Sequence, residues 1–137
     1  MTQARQTDLA ASLLRVTLGI MYLAHGLLLK VLTFGLAGTA GFFQSVGLPG
    51  WLAYLTTAAE VAGGVLLILG VQTRLVALAL IPTLLGAIIW VHAPNGWVFS
   101  AKGGGWEYPA FLIAASVVTA LLGSGAYSLA RPVRTVK

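Results

Sequence analysis

Residues 51–70 read WLAYLTTAAEVAGGVLLILG. The stretch is apolar from end to end, with one ionisable group, Glu60, near its middle. A helix needs ~20 such residues to cross the hydrocarbon of a bilayer, within a tolerance of roughly 17–25. By that measure it is a transmembrane helix, and it sets the class of the whole chain. Thr56, Thr57, Gly63 and Gly64 lie within about 60° of Glu60 on a helical projection. Small residues and hydroxyls on one face let a second helix approach closely and bond across the contact. That face should point into a bundle.

The composition agrees. Of 137 residues, 58% are hydrophobic and only 8% are charged, and the mean hydropathy is +0.93. A soluble domain carries about 25% charged residues, so too few charges remain here to coat a water-facing surface. A disordered chain, which needs low hydrophobicity and high charge, is excluded as well. Nothing marks a second domain, and residues 1–137 read as one unit. There is no cysteine, which excludes a disulfide, an iron–sulfur site and a dithiol relay. The net charge of +5 comes from eight cations. Scattered at helix ends, they make no nucleic-acid patch.

Three further apolar segments flank the first. The expected helices are about 9–32, 51–70, 75–92 and 107–123. The result is an all-α fold, an integral-membrane bundle of four transmembrane helices. Turn residues separate them at Gly47-Leu48-Pro49-Gly50, Gly70 to Arg74, Pro94-Asn95-Gly96 and Gly103-Gly104-Gly105. The triple glycine lacks the Lys-Ser/Thr of a phosphate loop and reads as a hinge. Pro82 should kink or loosen the third helix. Residues 39–46 suggest a short interfacial helix in the first outer loop, with Thr39 as its N-cap. The first helix is long for a signal peptide and contains Arg15, so it reads as retained.

Lysine and arginine counts set the orientation. With the N-terminus inside, Arg5, Arg74, Arg131, Arg134 and Lys137 are cytoplasmic, and only Lys30 and Lys102 are outside. Both termini are then cytoplasmic, and loops 31–50 and 93–106 face out. Trp51, Trp90, Trp97 and Trp106 fall at the outer boundary, where interfacial tryptophan belongs.

Ionisable groups inside a span cost about 2.5–3.5 kcal/mol each, so they mark candidate function. On the first helix Asp8, Ser12, Gly19, Tyr22, Gly26 and Lys30 lie within about 60° of Arg15, with His25 at the stripe's edge. Arg15 is an available partner for Glu60; the alternative is that Arg15 snorkels to the headgroups and Glu60 is protonated. His25, Lys30, His92, Asn95, Trp106, Glu107 and Tyr108 map to the outer ends of helices. With Glu60 they suggest a pocket for a ligand with a polar head and an apolar tail. A quinone fits that mixture, because a His or Glu beside it can exchange protons. A metal or a bis-histidine haem through His25 and His92 fits less well, since no ligand-spacing motif is present. No Ser/His/Asp nucleophile is recognisable.

The chain resembles the DoxX family of small four-helix bacterial membrane proteins. The resemblance rests on Leu14-Arg15, Tyr22-Leu23-Ala24-His25-Gly26 with Lys30, Gly38 to Phe43, and Gly47-Leu48-Pro49. It continues through Ala59-Glu60-Val61-Ala62-Gly63-Gly64, Leu69 to Arg74, Val91-His92-Ala93-Pro94-Asn95-Gly96 and Gly104-Gly105-Trp106-Glu107-Tyr108. It covers about residues 9–129. The resemblance implies a bacterial cytoplasmic-membrane protein, associated with oxidoreductase systems that use quinones and soluble redox partner proteins. The absence of cysteine sets this chain apart from related dithiol quinone reductases. The expected function is a membrane subunit or anchor of such a system, with a quinone-like ligand near the outer face. The alternatives are a bundle that binds or transports a small solute, itself a candidate homo-oligomer, and a non-catalytic assembly scaffold.

Overall fold

The computed structural model describes residues 1–130. The chain is helical, with no strand among the described residues. Helix α1 spans Gln3–Leu23. It starts earlier than its apolar pattern does because the Thr2 hydroxyl accepts from the Arg5 N–H and caps the first turn. The helix then widens into π-type turns over Ala24–Thr33, closing with a bond from Phe34 N–H to Leu29 O at 2.9 Å. Gly35, at φ 73°, reverses the chain into α2, Leu36–Ser45.

Thr39 does not cap α2. It is buried inside that helix, and its hydroxyl donates to Gly35 O at 2.9 Å and Lys30 O at 3.1 Å. It therefore latches α2 onto the end of the π segment. The cap position belongs to Gly35, whose positive φ makes the turn.

Helix α3, Trp51–Leu69, ends at Gly70 in the left-handed conformation. The expected third helix is divided. Helix α4 covers Thr73–Ala79 and α5 covers Ile81–Ala87. A π turn at Ile88–His92 and a 3₁₀ turn at Ala93–Asn95 follow. Pro82 sits in the first turn of α5, where its missing N–H opens the ladder, as the sequence suggests. Helix α6 spans Glu107–Leu122.

Three helical runs are long and apolar enough to cross a membrane: Gln3–Thr33, Trp51–Leu69 and Thr73–Asn95. Helix α6 has 16 residues and is shorter; at 1.5 Å per residue it reaches about 24 Å against a hydrocarbon thickness of about 30 Å.

Helices α1 and α3 pack with their backbones in contact. A Cβ added to Gly19 would lie 2.8 Å from Gly64 O, and one added to Gly64 would lie 2.8 Å from Gly19 O. Glycine is required at both positions. Gly26 sits in the same way against Glu60 and Val61. These pairings fix an antiparallel register in which Gly19 is level with Gly64 and Gly26 with Glu60. Leu18, Tyr22, Leu67, Leu80, Leu84 and Leu112 fill the core beside this seam. Leu13, Ile20, Leu55, Leu75, Phe111 and Leu121 are exposed on the outer faces, where acyl chains would cover them.

Candidate functional site

Glu60 is paired with Lys30. The Lys30 ammonium lies 2.6 Å from Glu60 Oε2, with the carboxylate side chain 9% exposed. The π segment brings this about. Its wide turns carry Lys30 over the middle of α3, and Thr39 holds the Lys30 carbonyl from behind.

Arg15 has a different role from the one its position on the stripe suggests. It is fully buried, and it lies level with the last turn of α3. That is seven residues from Glu60, or about 10 Å along the axis. Its Nη1 donates to Leu67 O and Ile68 O, both at 2.6 Å. Its Nε donates to Ser124 O at 2.8 Å, and Nη2 reaches Tyr127 O at 3.2 Å and Ala126 O at 3.3 Å. The guanidinium therefore satisfies the orphan carbonyls at the end of α3 and binds the segment after α6 to them. Ser12 adds a bond to Ala126 O at 2.7 Å, and Ala126 N–H donates to Asp8 O at 3.1 Å. Neither the Arg15–Glu60 pair nor a snorkelling Arg15 is found. Arg131, Arg134 and Lys137, which enter the orientation argument, lie outside the described residues.

At the other end of the molecule the 93–106 loop is folded tightly. His92 Nδ1 lies 2.9 Å from Gly104 O, and Asn95 Nδ2 donates to the same oxygen at 2.9 Å. Trp106 N–H donates to Gly96 O, and Glu107 N–H to Trp97 O. Trp97 and Trp106 meet edge to face at 4.4 Å. The Glu107 carboxylate accepts from Phe99 N–H at 2.6 Å. His92, Asn95 and Trp106 thus brace the loop.

Beside this loop lies an open groove of about 980 Å³, lined by His25, Trp97, Phe99, Glu107, Tyr108, Ala110 and Phe111. Tyr108 packs on two of the other lining residues. Its ring stacks on His25 at 6.2 Å and meets Phe99 edge-on at 6.0 Å. Its hydroxyl donates to Met21 Sδ at 3.5 Å. His25 Nδ1 lies 2.8 Å from Met21 O.

Of the residues named from sequence, the structure brings His25, Glu107 and Tyr108 together on this groove. Glu60, His92, Asn95 and Trp106 do not line it. Trp97, Phe99, Ala110 and Phe111 are lining residues that sequence reasoning did not place at the site. Among the described residues no three His, Cys, Asp or Glu side chains cluster as a metal site.

The fold and site define a small helical membrane protein with an aromatic groove at one end. Residues 10–93 match the DoxX family model. A Bacillus subtilis (strain 168) protein named "Putative oxidoreductase CatD" is 38% identical over 117 residues, which cover 85% of this chain and 81% of that protein. This chain belongs to the DoxX family. No solved structure matches it. The family match includes Arg15, His25, Lys30, Glu60 and His92; of the groove residues it includes His25, and those from Trp97 to Phe111 lie beyond it.

Proposed function

We propose that this chain is the membrane subunit of an oxidoreductase system and that the groove takes a quinone-like ligand. The observation that carries the reading is the make-up of the groove: the aromatic residues Trp97, Phe99, Tyr108 and Phe111, with His25 and Glu107 beside them. Flat rings pack between aromatic side chains, and a few placed polar atoms fix their orientation. A quinone bound there would supply the two-electron chemistry. His25 and Glu107 are the residues able to hold or pass its protons. With no cysteine in the chain, electrons come from a soluble redox partner rather than from a local dithiol. The relative's name supports the reaction class.

In this reading α6 is the fourth span, made sufficient by the aromatic residues at its Trp106 end and by local thinning of the bilayer. The chain lies in the bacterial cytoplasmic membrane with both termini inside. Arg5 and Arg74 mark the inner end, and the groove opens near the outer face, on the side of Lys102. Lys30 and Glu60 neutralise each other in the span, which supports a structural role for them.

The test is calorimetric titration of decylbenzoquinone into the purified protein in lipid nanodiscs. Saturable binding is expected, weakened at least tenfold (~1.4 kcal/mol) by Tyr108→Leu and unchanged by Leu121→Ala, at an exposed position at the far end of α6. Binding that is equal in all three proteins, or absent from the wild type, contradicts the proposal.

A further inference from the structure

We infer that the groove selects the reduced, hydroxyl-bearing form of the ring over the oxidised, carbonyl-bearing form. This rests on the reading of the groove as a quinone-class site and adds to it a direction of preference. The donors and acceptors of the lining residues set that preference.

The partner of His25 Nδ1 is the Met21 carbonyl, 2.8 Å away. A carbonyl can only accept, so the ring hydrogen resides on Nδ1. In the neutral imidazole Nε2 is then a bare acceptor. Among the described residues no buried side-chain nitrogen or oxygen lacks a partner. His25 is half-buried and its Nε2 has no protein partner, so that atom is accessible on a residue that lines the groove. Glu107 is placed alike. One oxygen accepts from Phe99 N–H at 2.6 Å, and the other, unpartnered, is accessible. A carboxylate has no hydrogen to give.

Two wall groups do not discriminate. The Tyr108 hydroxyl can turn to donate or accept, and the Trp97 indole N–H can donate to a carbonyl or to a hydroxyl oxygen. His25 Nε2 and the free Glu107 oxygen do discriminate. A hydroxyl gives either of them a hydrogen. A carbonyl places lone pair against lone pair and leaves the acceptor unmet in a mostly apolar setting, which binding sites penalise heavily.

The experiment compares decylbenzoquinol with decylbenzoquinone on the wild-type protein in nanodiscs under anaerobic conditions. The quinol is expected to bind at least tenfold tighter. The potential of the bound couple should accordingly lie at least about 30 mV above that of the couple in protein-free nanodiscs. Glu107→Gln keeps an oxygen for Phe99 N–H and turns an amide donor to the groove. It should bind the quinone at least threefold tighter than the wild type does, a gain that a damaged fold cannot produce. Equal affinity for the two forms, or tighter quinone binding to the wild type, overturns the inference and leaves the quinone-class reading standing. Binding of neither form overturns both. A Glu107→Gln protein with no gain for the quinone removes Glu107 from the selection and overturns its assigned part.

Discussion

Replacing Arg15 by methionine tests how the inner end of the molecule is held. Methionine keeps the apolar stem and removes every donor. Three strong bonds disappear, to Leu67 O, Ile68 O and Ser124 O at 2.6–2.8 Å, with weaker ones to Ala126 O and Tyr127 O. Leu67 O keeps its bond from Gly70 N–H at 3.1 Å, so the main loss falls on Ile68 and Ser124. A buried polar group left unmet costs about 1–3 kcal/mol. Two such groups give about 4 kcal/mol, from which the relief of no longer burying a cation subtracts part. The expected loss is about 3 kcal/mol, read as the shift in the reversible unfolding curve of the detergent-solubilised protein. Hydrogen exchange supplies the local readout. The Ala126 and Leu129 amides, bonded to Asp8 O and Leu69 O, should lose protection first. Arg15→Lys should recover less than half, since a single ammonium cannot span the forked set of carbonyls. An Arg15→Met protein within about 1 kcal/mol of wild type, with both amides still protected, would refute the clamp, because at least one buried carbonyl should register.

Gly64→Ala places a methyl 2.8 Å from the Gly19 carbonyl; the backbones must part, at about 2–3 kcal/mol, measured by the same unfolding curve. Glu60→Gln and Lys30→Met should each destabilise by about 3 kcal/mol, while the double variant loses much less than the two together. Additive losses in that cycle would show that the pair is not coupled. His92→Ala frees one of the two bonds to Gly104 O and should raise amide exchange across residues 97–105 while costing only about 1 kcal/mol globally.

Much of the frame is legible in the sequence. Of the stripe that follows from the helical period, Ser12, Arg15, Gly19, Tyr22 and Gly26 are buried, Lys30 is half-buried and Asp8 is exposed. Thr57, Glu60, Gly63 and Gly64 face inward on α3 in the same way. What period and composition miss has a common cause. Arg15 binds backbone carbonyls, and a carbonyl carries no residue identity that a sequence could reveal. His92 and Asn95 converge on Gly104 O for the same reason. The π turns of residues 24–33 have no compositional mark, yet they set where Lys30 lands and hence which cation meets Glu60. Phe111 is 70% exposed and by pattern reads as one more lipid-facing side chain. Only the fold of the 93–106 loop makes it a wall.

The most direct measurement is photo-crosslinking with an azido-quinone in nanodiscs, followed by peptide mapping. Adducts are expected on residues 97–111 and around His25, competed away by decylbenzoquinol more effectively than by decylbenzoquinone. Adducts confined to the exposed surface around Ile20 on α1 and Leu27 on the π segment, or adducts that no competitor removes, would contradict the proposed site.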